Sequence, residues 1–421
     1  MTERYWVETL GCPKNQVDSD KLAGTLVADG YTPAESAEDA DLVVVNTCAF
    51  IEAARQESID TVLALAADRR PGARLVVTGC LAERHGPELA AAMPEVDLVA
   101  GFGVPVTLGA RPESPAFDLL NLPRPAASAP WAYVKVAEGC DRRCGFCAIP
   151  SFRGPQRSRP AEAILDEVDS LGGAVREVVL VAQDLASWGQ DRSAGATRAR
   201  GGERPIVQLV AEAAARVDRV RLLYLYPSSL DDALIEAVVA TGVPYFDLSL
   251  QHVSHPLVAR MRRWGDGERF LERIAAIRAA APGAALRSSF ILGYPGETEE
   301  DHDRLLGFLA EAQLDWAGFF TFSEEAGTYA VGLDDPVPDE LALERLRECA
   351  ELQDSITAAR RAALVGSTLE VLVDTPGVAR SYREAPEIDG VVHVDAGLPV
   401  GTTAEVVAAS SAGPDLWAAG A

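Results

Sequence analysis

Cys140-Asp-Arg-Arg-Cys144-Gly-Phe-Cys147 carries three cysteines in eight residues, a C-x3-C-x2-C spacing just after a strand-like run at 132–137. Three thiolates from one short loop can hold three irons of a cubane 4Fe–4S cluster, leaving the fourth iron open to a ligand that is not protein. The plainer alternative is zinc, which wants a closed tetrahedral set. None of the five histidines (His85, His252, His255, His302 and His393) lies near the loop in sequence, and no fourth cysteine follows at zinc-ribbon spacing. The loop reads as a cluster site.

Beyond the loop, apolar runs recur at 177–183, 219–226, 245–251, 286–294 and 316–322, with helical stretches between them and a long one over 338–364. Six βα units in one run predict a full or partial barrel. Residues 189–204 (GQDRSAGATRARGGER) read as a mobile loop after the second strand. Upstream, six prolines between 104 and 130 mark a linker. Downstream, TLEVLVDT (368–375), VARSY (378–382), VVHVD (391–395) and AEVVAA (404–409) predict a small all-β barrel.

The segment before the linker repeats one unit: an apolar run, a cysteine, then a helix. YWVETLGC (5–12), DLVVVNTC (41–48) and RLVVTGC (74–80) are its strands, with helical periodicity over 15–29 and 49–68. Alternating strands and helices predict a doubly wound parallel sheet. Cys12, Cys48 and Cys80 each close a strand, and the carboxyl ends of an open parallel sheet line one edge, where ligands bind. Three distant thiols thus converge on one site. Three small buried residues remain the bland reading of the same pattern. Cys349, alone in LRECAELQ, reads as a structural thiol.

The expected architecture is therefore α/β in three parts: a parallel-sheet domain over 1–105, a central partial (β/α) barrel over 126–364, and an all-β barrel over 365–421. Charge bounds its partners. The chain has 421 residues and a formal charge of −25, with 38 Lys+Arg against 63 Asp+Glu. The C-terminal segment holds only Arg380 and Arg383 against eight acidic residues. Nucleic-acid binders draw most of their affinity from neutralising phosphate, so this balance disfavours a nucleic-acid substrate and suits a basic protein. Seven cysteines in a long chain argue against a disulfide framework, and no run reaches the roughly 20 apolar residues of a membrane span. The expectation is a cytoplasmic protein with no membrane partner.

At these residues the chain resembles the radical S-adenosylmethionine (SAM) methylthiotransferases over essentially its whole length. The C-x3-C-x2-C loop with Phe146 before its last cysteine is similar to the radical SAM signature. The three strand-end cysteines resemble that family's auxiliary cluster site, and the terminal barrel its TRAM domain. Gly11-Cys12-Pro13-Lys14-Asn15, Cys147-Ala148-Ile149-Pro150-Ser151 with Arg153-Gly154, and Arg380-Ser381-Tyr382 with Ala385-Pro386-Glu387-Ile388-Asp389-Gly390 resemble the branch acting on a ribosomal protein. The tRNA-modifying branch usually has Gln-Met-Asn where this chain has Pro13-Lys14-Asn15.

The resemblance implies methylthiolation of the β-carbon of an aspartate in small-subunit ribosomal protein twelve, with two 4Fe–4S clusters and SAM as cofactors. Acid–base side chains cannot open an unactivated C–H bond, so the radical must come from a cofactor. It further implies that SAM binds the open iron at Cys140, Cys144 and Cys147, where one electron cleaves it to a hydrogen-abstracting 5′-deoxyadenosyl radical. The cluster at Cys12, Cys48 and Cys80 would carry or donate the sulfur, and a second SAM the methyl group. An electron donor and a sulfur source are implied as further partners. No catalytic residue is implied beyond the cluster ligands. Candidate SAM contacts are Phe146, Gln183, Asp184, Gln251, His252, Arg287 and Gly293. The nearest rival function is a tRNA adenosine methylthiotransferase. A non-catalytic iron–sulfur carrier is a rival of another class, against which the six-unit barrel speaks.

Overall fold

The computed structural model describes residues 2–102, 104, 106, 120, 122–191 and 204–420. The first part is a five-stranded sheet built from β1 (Arg4–Thr9), α1 (Pro13–Ala28), β2 (Thr32–Pro33), β3 (Leu42–Thr47), α2 (Glu52–Asp68), β4 (Arg74–Gly79), α3 (Cys80–Ala92) and β5 (Leu98–Ala100). Its order is β2-β1-β3-β4-β5, and every pairing is parallel. β3 is central and wholly buried. That explains its unbroken Leu-Val-Val-Val run, since a strand covered on both faces has no polar side to show. The short edge strands β2 and β5 carry too few residues for a visible pattern.

The central part runs β6 (Trp131–Lys135), β7 (Ala137–Glu138), α4 (Ile149–Arg153), β8 (Arg157–Ser158), α5 (Ala161–Ser170), β9 (Glu177–Val181), α6 (Pro205–Ala214), β10 (Arg219–Leu222), α7 (Asp232–Ala240), β11 (Tyr245–Gln251), α8 (His255–Arg260), α9 (Gly267–Ala280), β12 (Ala285–Leu292), α10 (Glu299–Ala312), β13 (Trp316–Thr321) and α11 (Asp339–Ala362). Parallel sheets β10-β9-β6 and β11-β12-β13 meet through one bridge, Leu225 to Leu248. The barrel is thus partial, six strands in a curve with β6 and β13 as its edges. Cys349 is fully buried in α11 against the barrel core, as a structural thiol should be.

β14 (Thr368–Thr375), β15 (Val378–Arg380), β16 (Val392–His393), β17 (Thr403–Ala412) and β18 (Asp415–Ala418) close into a small barrel. β18 follows a Gly413-Pro414 turn and is only four residues long, so strand periodicity does not reveal it. The segment 380–391 plugs the amino-terminal end of the central barrel. Arg380 and Arg221 share the buried carboxylate of Glu177. The Tyr133 hydroxyl donates to the Pro386 carbonyl (2.9 Å), and that of Tyr245 to Asp389 (2.6 Å). Ala385 and Ile388 pack among Tyr133, Val179, Val181 and Tyr245.

This docking narrows the charge argument. Of the eight acidic residues, Asp374, Glu384 and Asp389 are spent inside on Arg380, Arg361 and Arg287. Arg380 is itself buried, and Arg383 pairs with Asp315. Glu370, Glu387, Asp395, Glu405 and Asp415 remain exposed or partly so, and the barrel surface stays acidic.

The expected linker is not free where it is described: the Lys21 ammonium donates to the Leu122 carbonyl (3.0 Å) and Arg124 pairs with Asp20 (2.5 Å). Its segment 107–119, and residues 192–203 of the expected Gly- and Arg-rich loop, lie outside the described residues. Among the described residues no helix is long and apolar enough to cross a membrane.

Candidate functional site

Each cysteine of the first part follows the end of a strand. Cys12 stands just before α1, Cys48 just after β3, and Cys80 opens α3. The backbone makes this convergence tight. Gly79 has φ +91°, and a Cβ there would lie 2.3 Å from Asn46 Oδ1 and 2.6 Å from the Thr47 carbonyl. Only glycine lets β4 turn into α3 so close to β3. Asn15 ties the ends together, its amide donating to the Leu10 (2.8 Å) and Thr47 (3.2 Å) carbonyls. Cys48 and Cys80 are buried and Cys12 half-buried.

Electrostatics separates the three. Burial pushes the Cys48 thiol up to about 12, with Cys12 and Cys80 adding like charge. Cys80 is raised for the same leading reason, against the pull of Arg153. At Cys12, burial also works upward, but Lys14, Arg153 and the backbone N–H groups of Asn15 and Lys14 outweigh it and hold the thiol below its usual value. Lys14 in turn lies 3.2 Å from the Tyr224 ring centroid, on the far side of the domain boundary.

The second set lies on the loop between β7 and α4. The Cys140 amide donates to the Gly154 carbonyl (3.1 Å), the Gly145 amide to Met261 (2.8 Å), and the Ala330 amide to Gly145 (2.8 Å). Gly145 is confined by this close approach, since a Cβ would sit 2.8 Å from the Tyr294 hydroxyl. Burial raises Cys140 to about 11 and Cys147 to about 12. Arg263 donates to Cys144 Sγ (3.0 Å) and to the Ser249 carbonyl. Arg142 and Arg263 lie 3.9 and 4.4 Å from the Tyr226 ring centroid.

The two sets are joined by one helix. α4 begins two residues after Cys147 and ends at Arg153, whose guanidinium donates to Cys80 Sγ (3.0 Å). Five helical residues span roughly 8 Å. Around this joint lies a buried polar cluster: Arg153 and Lys135 against Asp18 and Glu138. Burial works to raise Glu138, but Arg153 and Lys135 override it and hold its carboxyl far below the usual range.

Each set offers three cysteine thiols, the donor type by which proteins hold iron–sulfur clusters. Among the described residues no group of three His, Cys, Asp or Glu side chains closes on a single metal ion. A cubane instead spreads its thiolates over separate irons.

The candidate SAM residues divide. Gln183 and Asp184 stand at the carboxyl end of β9. The Gln183 amide donates to Glu138 (2.7 Å) while its Oε1 is buried without a partner, and Asp184 accepts from Arg142 (2.6 Å) while its Oδ1 is likewise unpartnered. Gln251 closes β11 at φ +74°, and Tyr224, beside the end of β10, has φ +64°. Such backbone costs about 1–3 kcal/mol per residue and clusters at ligand sites. Phe146 packs half-buried beside Met261, Ile291 and Tyr294.

Three candidates have partners within the fold. His252 is fully buried: its Nδ1 accepts from the Ser254 amide (3.1 Å), and desolvation, with His302 and Arg345 nearby, brings it down to about 4 despite Asp301. It directly follows β11, and its Nε2 is buried without a partner. Arg287 is the third residue of β12, near the end opposite the cysteine loop, and binds Asp247 (3.0 Å) and Asp389 (3.5 Å). It holds the terminal barrel in place. Gly293 gives its amide to Glu297 (2.5 Å), and a Cβ there would meet that of Ala342 at 2.5 Å, so it serves the packing of α11. Sequence reasoning named Lys14 and Arg153 only as parts of the resemblance motifs, without a role at either thiol set, and missed Arg263 and Glu138, which no local pattern ties to the cysteines.

Residues 4–101 match the uncharacterized protein family UPF0004, 134–309 the Radical SAM superfamily, and 365–420 the TRAM domain. The chain is 42% identical to ribosomal protein uS12 methylthiotransferase RimO of Moorella thermoacetica, over 93% of each chain. It is 37% identical to the protein of that name from Chloroflexus aurantiacus, over 98% of this chain and 99% of that one. With the one from Nocardioides sp. the identity is 39%, over 97% and 95%.

Proposed function

The chain belongs to the RimO family of ribosomal protein uS12 methylthiotransferases, and from that premise we propose that its substrate is the uS12 protein, methylthiolated at the β-carbon of an aspartate in the cytoplasm. It is a radical SAM methylthiotransferase, and its superfamily takes a 4Fe–4S cluster and SAM. The proposal adds that Cys140, Cys144 and Cys147 hold that cluster and that Cys12, Cys48 and Cys80 hold a second one. When bound, these groups supply reductive cleavage of SAM and the sulfur to be inserted.

The observation that carries the reading is α4, which begins beside one thiol set and ends on the other through Arg153 and Cys80. Radical formation at one set must reach a substrate that meets sulfur at the other, and a rigid five-residue element keeps them within a short distance. Gln183 and Asp184, with free buried acceptors, suit the amino group of SAM. Phe146 screens its loop from water, and Gln251 stays a candidate contact on its strained strand end. His252, Arg287 and Gly293 are left to the fold. The acidic surface of the terminal barrel suits a basic ribosomal protein. The proposed domain limits are 1–105, 126–364 and 365–421, and the matched segments 4–101, 134–309 and 365–420 fall within them. An electron donor and a sulfur source complete the proposed partners.

The test is the intact mass of uS12 from cells with and without this gene. Loss of one methylthio group in the deletion strain is the expected result. An unchanged uS12 alongside altered tRNA nucleosides would transfer the assignment to the tRNA branch.

A further inference from the structure

Arg153, from the central part, hydrogen-bonds a thiol of the first part. Its side chain is 3% exposed. One terminal nitrogen donates to Cys80 Sγ (3.0 Å), Asn15 Oδ1 (2.9 Å) and Asp18 Oδ2 (3.2 Å). The other donates to both oxygens of Glu138 (2.9 Å each), and the guanidinium lies 4.5 Å from the Phe102 ring centroid. Lys135 balances the second carboxylate, so two buried cations meet two buried anions. The sulfur contact is therefore in excess of what charge balance requires. A rigid fork can hold all these acceptors at once, whereas an ammonium would have to choose among them.

We infer that Arg153 is the positioning residue of the auxiliary site, donating a hydrogen bond to the Cys80 sulfur that raises the reduction potential of the cluster held there. The inference rests on the reading of Cys12, Cys48 and Cys80 as cluster ligands. Hydrogen bonds to ligand sulfurs are among the factors that set iron–sulfur potentials, because they withdraw charge from the thiolate and favour the reduced state. Arg153 reaches Cys80 from the helix that follows the radical SAM loop, so the potential of one site depends on how the other domain is seated. The Glu138 it grips also takes the Gln183 amide, at the end of β9.

The test uses the full-length chain with Cys140, Cys144 and Cys147 all changed to Ala, so that only the auxiliary site can hold a cluster. Its midpoint is measured by redox titration followed by electron paramagnetic resonance, alone and with Arg153→Gln or Arg153→Lys added. The expected result is a downward shift in Arg153→Gln and a smaller one in Arg153→Lys, which keeps a donor and the charge beside Glu138. A purely structural role would not move the midpoint, and an unmoved midpoint in both variants overturns the inference while leaving the site assignment standing. If Arg153→Gln loses its cluster, the lysine variant alone decides, a shift supporting the inference and an unmoved midpoint overturning it. A triple-alanine background that takes up no cluster overturns the site assignment, and the inference with it.

Discussion

The two thiol sets are assembled by opposite means. Cys140, Cys144 and Cys147 belong to one loop whose spacing alone brings them together, and the surrounding fold only pins its backbone at Cys140 and Gly145. Cys12, Cys48 and Cys80 come from three strand ends and depend on sheet register, on Gly79 at positive φ and on Asn15 as a tie. Yet each set has one arginine on one sulfur, Arg263 on Cys144 and Arg153 on Cys80. The loop site should therefore be sensitive to its own ligands and tolerant of distant change, whereas the sheet site should fail with its scaffold.

The largest expected effect is total. Cys144→Ala should reduce SAM cleavage to background, read as 5′-deoxyadenosine formed by the reconstituted enzyme, while the sheet site keeps about four of the roughly eight irons of two cubanes. Gly79→Ala should do the reverse. Its Cβ would collide with backbone and Asn46, costing about 3 kcal/mol in denaturant unfolding and removing about four irons. Arg263→Gln should lower SAM cleavage about tenfold, as loss of a partner that orients a metal ligand commonly does, without changing the iron count.

The smallest effect concerns His252, buried just after β11. Its folded-state value of about 4 lies below the usual 6.5. The unfolded chain thus binds the proton more readily, so the stability this residue contributes is complete above pH 6.5 and is lost as pH falls toward 4. His252→Gln should lose less stability than the parent between pH 6.5 and 4, measured by denaturant midpoints, and should cleave SAM at the parental rate at neutral pH.

What the sequence made legible follows the same division. A C-x3-C-x2-C loop is a local pattern, and so are apolar runs that end in cysteine, so all six proposed ligands could be named before the fold was known. Side-chain contacts across domains are not local. Arg153 meets Cys80 across 73 residues and Arg380 meets Glu177 across 203, and no periodicity encodes either pairing. The partners of Arg287 were hidden for a related reason: it lies in a strand whose far end faces the cysteine loop, and a motif does not say at which end its polar residue sits. Composition counted the terminal barrel's acidity correctly but could not tell the three internal carboxylates from the five that reach the surface.

The central claim, that the two thiol sets do different work on one substrate, is tested most directly by Cys48→Ala. The reconstituted variant is given SAM, reductant, a sulfur source and uS12, and 5′-deoxyadenosine and methylthiolated protein are counted in the same sample. SAM cleavage should run at close to the parental rate, with no methylthio group on uS12. Methylthiolation that persists in this variant would contradict that claim.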